Sequence, residues 1–87
     1  LETYNNLGVV YKSQDWLGKA ESFYNKALSL NPKHPGTNYN LGLLYEDMNN
    51  IKSAIYFYRR FIKFGVISHP LLVDQIKNHL KSLERNG

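Results

Sequence analysis

Apolar residues recur along this chain at intervals of three and four: Tyr4, Leu7 and Tyr11 in one run, then Ala20, Phe23 or Tyr24, Ala27 and Leu28 in the next. That spacing puts them on one face of a helix, and no segment shows the alternation of a half-buried strand. Turn formers separate the runs. Short breaks fall at Ser13 to Trp16 and Met48 to Ile51, and longer ones at Asn31 to Gly36 and Phe64 to Pro70. Asn, Asp, Gly and Pro concentrated there favour leaving a helix. The pattern predicts an all-α fold with five helices, near residues 2–14, 16–30, 36–48, 50–64 and 70–85. In the fifth, Leu72 or Val73, Ile76, Leu80 and Leu83 make one apolar stripe, and Pro70 sits in the first turn, where its missing N–H does no harm.

The runs also copy one another. Shifting the sequence by 34 residues matches Thr3 with Thr37, Asn6 with Asn40, Leu7 with Leu41, Gly8 with Gly42, Tyr11 with Tyr45, Ala20 with Ala54, Phe23 with Phe57 and Tyr24 with Tyr58. Eight identities in one ungapped register, most at apolar or small positions, mark a tandem repeat. A shift of 35 brings Leu41, Tyr45 and Met48 onto Ile76, Leu80 and Leu83, so the fifth helix reads as a third first-helix with no partner after it. The expected units are a repeat over 1–34, a repeat over 35–68 and a capping helix over 69–87.

The order Tyr4, Leu7, Gly8, Tyr11, Ala20, Tyr24, Ala27, Pro32 resembles the tetratricopeptide-repeat signature at its 34-residue period. Some positions depart from it. Tyr4 and Asn38 stand where tryptophan is typical, Asp15 and Asn49 where glycine often makes the turn, Phe61 in place of a second alanine and Val66 in place of the closing proline. Asp and Asn tolerate left-handed backbone, so the turns stay feasible. The resemblance implies antiparallel helix pairs stacked into a right-handed superhelix, the first helix of each pair lining a concave groove. It also suggests why a helix carries a glycine that costs about 1 kcal/mol relative to alanine. Gly8 and Gly42 would lie where the paired helices cross closest, facing Ala20 and Ala54. At the matching place in the last helix stands Lys77, a charge that can face water where pairing stops.

The same resemblance implies a groove lined by Glu2, Asn5, Val9 and Lys12, by Tyr39, Asn40, Leu43 and Glu46, and by Asp74, Asn78 and Lys81. Asn5, Asn40 and Asn78 would hydrogen-bond the backbone of an extended peptide while Val9, Leu43 and Tyr39 bury its side chains. Tyr39 is expected to be the exposed aromatic of that surface. Some family members clamp a C-terminal carboxylate with basic residues and amides, but of this set only Asn40 fits.

Composition narrows the chemistry. The chain has 87 residues, 43% of them hydrophobic and 14% aromatic, enough for a core and against disorder. It has no cysteine, which removes disulfides, thiolate metal sites and cysteine nucleophiles. No apolar run approaches the roughly 18 residues of a membrane span. The opening "LETYNNLG" has neither an initiator methionine nor a signal-peptide pattern, so the chain reads as a segment of a longer protein. The three histidines, His34, His69 and His79, lack the i, i+4 spacing of a helical metal site, and no phosphate loop or nucleophile elbow occurs. No catalytic residue, metal ligand or cofactor is nominated.

Charge is uneven. The net +4 arises in the C-terminal part, where Lys52, Arg59, Arg60 and Lys63 share the fourth helix and Lys77, Lys81 and Arg85 the fifth. Such a face attracts nucleic acid or anionic membrane. The recurring Tyr and Phe are already claimed by inter-helix packing, and no nucleic-acid motif is present, so that reading ranks below protein binding. The expectation is a non-catalytic scaffold that holds a peptide segment or helix of a partner protein in its groove, with self-association as the alternative. Compartment is left open, the cytoplasm being a default only.

Overall fold

A computed structural model describes residues 2–86. The end positions 1 and 87 of the expected units lie outside that range. Among the described residues there are five helices and no strand: α1 (Glu2–Ser13), α2 (Leu17–Leu30), α3 (Pro35–Asp47), α4 (Ile51–Gly65) and α5 (Pro70–Asn86). Bounds differ from expectation by one residue at most ends. The start of α2 moves to Leu17 because Trp16 has φ −93° and ψ 70°, outside the helical region.

Two turns of the same design close the helix pairs. Asp15 and Asn49 adopt left-handed backbone, with φ of 64° and 59°. The amides of Trp16 and Asn50 reach back to the carbonyls of Tyr11 and Tyr45, at 2.9 and 2.8 Å. Those of Asp15 and Asn49 bond Lys12 and Glu46, at 2.9 and 3.0 Å. This is the Schellman arrangement, satisfying carbonyls that a helix end leaves open, with Asp and Asn doing what glycine usually does. The longer connection into α3 ends at His34, whose Nδ1 accepts from the Thr37 amide at 3.1 Å and caps the helix ahead of Pro35.

The core has two parts. Ala20 and Tyr24 of α2 meet Leu41 and Leu44 of α3, with Tyr11 and Phe57 packed against them. Ala54, Tyr58 and Phe61 of α4 meet Val73, Ile76 and Leu80 of α5. The repeat is visible in the packing itself: Tyr11 stacks on Phe23 with ring centres 5.5 Å apart, and Tyr45 stacks on Phe57 at 5.6 Å. The recurring aromatics therefore hold helix to helix, as their period implies.

The glycines are close-packing points, but their neighbours are not the expected alanines. A Cβ built on Gly8 would stand 2.4 Å from a ring carbon of Tyr24, and one on Gly42 would stand 2.5 Å from Tyr58. Ala20 and Ala54 are fully buried without being the groups that crowd the glycines. The reason is directional. A helical side chain leans toward the N-terminus of its helix, so the spot beside an alanine is covered by the residue one turn later.

One buried polar residue organises the region where the repeats meet. Asn38, fully buried, donates from Nδ2 to the carbonyls of Pro32 (3.1 Å) and His34 (2.8 Å) and accepts from Arg60 Nε at 2.9 Å. Arg60 Nη2 also donates to the Pro32 carbonyl at 2.7 Å. Every hydrogen-bonding group of the Asn38 side chain is thus engaged on the loop before α3 or on α4, as burial requires.

Candidate functional site

The seam between α1 and α3 carries a shallow depression of about 210 Å³, lined by Val9, Lys12 and Ser13 of α1, Tyr24 of α2, and Asn40 and Leu43 of α3. Val9, Lys12, Asn40 and Leu43 were all nominated from sequence, and the fold brings them together. Val9 is 47% exposed, an apolar side chain offered to solvent. The floor is aromatic: burial pushes the Tyr24 hydroxyl up to about 12, so it is neutral and able to donate at any physiological pH.

Polar residues across this seam hold one another. Asn40 Nδ2 donates to Asn5 Oδ1 at 3.0 Å, and Lys12 Nζ pairs with an Asp47 carboxylate oxygen at 3.1 Å. Both pairs span 35 residues, one more than the repeat period. Two of the three amides expected to meet a peptide backbone, Asn5 and Asn40, therefore spend one acceptor and one donor on each other; an amide side chain has further bonding capacity. Lys12 and Asp47 together fix the rim as a neutral pair.

Other nominated residues sit elsewhere. Tyr39 is half-buried, its ring 5.2 Å from that of Phe61 and packed with the α4–α5 cluster, so it is not the exposed aromatic anticipated. Phe61, where an alanine is typical, supplies the surface that takes it in. Glu46 Oε1 accepts from the Tyr58 hydroxyl at 2.7 Å and lies 2.8 Å from His79 Nε2, tying α3, α4 and α5 together rather than facing a ligand. Asp74 and Asn78 line a separate depression on α5 with Lys77, Leu80, Lys81 and Glu84. Lys77 is exposed, as expected of the residue that replaces the close-packing glycine.

Other side chains fill structural roles. Tyr45 donates to Glu21 Oε2 at 2.6 Å; burial, followed by that bond and the carboxylate charge, pushes its hydroxyl up to about 12. Among the described residues no group of three His, Asp or Glu side chains is placed to hold a metal ion, and no helix is long and apolar enough to cross a membrane.

Comparison with known proteins agrees with this architecture. Tetratricopeptide repeat profiles match residues 1–34 and residues 23–56, together spanning α1 through α3 and the start of α4. The chain belongs to the tetratricopeptide-repeat family. Repeats of this family generally mediate protein–protein interaction, and family members are typically non-catalytic. The chain is also similar to the photosystem I assembly protein Ycf3 of Prochlorococcus marinus, 44% identical over 45 residues. That match takes in 52% of this chain and 26% of the relative, so the chain corresponds to about a quarter of its length.

Sequence reasoning missed Ser13 and Tyr24 in the lining of this depression and Asp47 as the partner of Lys12. Asp47 had a signal: with Lys12 it forms an opposite-charge pair at the same 35-residue separation as Asn5 and Asn40. Tyr24 had none, since its register marks it as core, and its ring edge reaches the depression only because Gly8 leaves space beside it.

Proposed function

We propose that the chain is a non-catalytic interaction module whose α1–α3 groove holds an extended segment of a partner protein, and that it is organised as repeats over 1–34 and 35–68 with a cap over 69–87. The observation that carries this reading is the gathering of Val9, Lys12, Asn40 and Leu43 around one open depression, with Val9 half in solvent. An apolar partner side chain entering it gains burial on Val9 and Leu43. The remaining hydrogen-bonding capacity of Asn5 and Asn40 faces the partner backbone and sets its direction. The relative from Prochlorococcus marinus is named for photosystem I assembly, which supports a use in bringing protein chains together.

Selection from a displayed library of extended peptides tests the proposal. Wild-type protein should enrich sequences with an apolar anchor, and the Val9→Asp variant should lose them while keeping its helical circular dichroism. Equal enrichment by the variant would overturn the groove.

A further inference from the structure

The basic stripe of α4 is not used by the groove. Lys52, Ile55, Tyr56, Arg59, Arg60 and Lys63 surround a further depression of about 290 Å³ on the outer face of that helix. Tyr56 is 55% exposed at its centre. The stripe runs over three turns, so its end lysines are separated by roughly 16 Å along the axis. Its middle holds the apolar Ile55 and Tyr56 beside two arginines, and lysines stand at its ends.

The cations are held differently. Arg59 pairs with Glu84. Arg60 is bonded to Asn38 and Pro32, and its guanidinium lies over the rings of Tyr56 and Phe64, 5.6 and 5.1 Å from their centres. Among the described residues Lys52 and Lys63 have no carboxylate partner, and both are exposed. Two uncompensated lysines therefore bracket an apolar patch.

From this complementarity we propose that the outer face of α4 is a second docking surface, for an acidic partner segment with carboxylates on either side of an apolar side chain. The carboxylates meet Lys52 and Lys63, and the apolar group covers Ile55 and the free edge of Tyr56. Charges at the ends steer and orient the segment, while the central burial gives it residence. Nucleic acid fits this surface less well. Base stacking needs an open ring face, whereas Arg60 covers one face of Tyr56 and Phe57 meets the ring edge-on at 4.9 Å. A phosphate backbone also brings nothing apolar to Ile55.

The test uses the whole chain and a short fluorescent Glu-rich peptide with a central Leu-Phe pair. Its comparators are the same peptide with Ser-Ser at the centre, oligothymidylate, and phosphatidylserine vesicles. The Leu-Phe peptide should bind, shift the amides of Ile55, Tyr56 and Lys63 in NMR spectra, and resist displacement by a groove-selected peptide. Lys52→Glu with Lys63→Glu, both at exposed positions, should weaken it about tenfold or more. Equal binding of the Ser-Ser peptide would reduce the surface to unspecific charge and overturn the proposal. So would tighter binding of oligothymidylate or vesicles at these residues, or shifts that miss α4.

Discussion

The ring of Tyr58 occupies the space beside Gly42 that a side chain would fill: a Cβ there would stand 2.5 Å from two of its ring carbons. Tyr58 is fully buried and its hydroxyl is bonded to Glu46, so the ring has nowhere to retreat. Gly42→Ala should therefore destabilise the fold by about 1–3 kcal/mol, the usual cost of overpacking, despite a helix-propensity gain of about 1 kcal/mol. Gly18 gives the control, since a Cβ there meets nothing within 4 Å. Gly18→Ala should be neutral or stabilising by up to about 1 kcal/mol in urea denaturation. A stabilised Gly42→Ala would contradict the packing described.

Asn38 and Arg60 lead to a second prediction. Asn38→Leu removes the donor serving two loop carbonyls and the acceptor of Arg60 Nε. The Pro32 carbonyl keeps Arg60 Nη2 and the His34 carbonyl keeps the backbone amide of position 38, so Arg60 Nε is the group left without a partner, and the loss should be about 1–3 kcal/mol. Arg60→Lys should cost less, on the order of 1 kcal/mol, because an ammonium can still reach the Pro32 carbonyl but cannot also supply the forked Nε contact. Equilibrium denaturation of the two variants measures the order directly.

These interactions show which parts of the structure were legible in the sequence. Helix number and pairing were, because apolar spacing and the 34-residue copy are local or additive signals. The left-handed turns at Asp15 and Asn49 were legible as feasible, because few other side chains tolerate that backbone. What resisted reading depends on side-chain direction. The family resemblance put Ala20 and Ala54 opposite the glycines, but side-chain tilt hands that place to Tyr24 and Tyr58. Tyr39 was put in the groove by register, yet Phe61, an irregularity in the second repeat, draws it into the α4–α5 core. Val9, Lys12, Asn40 and Leu43 meet around one depression because a repeat preserves which face a helix turns outward. Asp74 and Asn78 did not join them, since α5 carries a different register and packs mainly on α4.

Alkaline pH should weaken the fold. Tyr24 and Tyr45 titrate near 12 in the folded chain against a usual value of 10.0, and Tyr58 is raised further by burial and by Glu46. Between these limits the unfolded chain loses its phenolic protons while the folded chain keeps them, so stability falls as pH rises. Below about pH 10 the contribution is fully present. Denaturation midpoints should hold steady from neutral pH and decline above about 10, and Tyr45→Phe should soften the decline. A midpoint that rises with pH in that window would contradict the burial of these hydroxyls.

The Lys12–Asp47 pair predicts a modest effect. Asp47 is about half exposed, with 54% of its side chain accessible, so Asp47→Ala should cost no more than about 1 kcal/mol. It should nonetheless make the groove rim more positive and shift selected peptides toward acidic residues. Sequencing of the enriched pools reads this out, and an unchanged charge distribution would place the bound segment away from the rim.

The most direct test of the groove is NMR titration of the labelled chain with a library-selected peptide. Binding in the groove predicts saturable shifts at the amides of Val9, Lys12, Asn40 and Leu43, lost in Val9→Asp while its dispersed helical spectrum remains. Saturable shifts confined to α5 or to the outer face of α4, with those four amides unmoved, would contradict it.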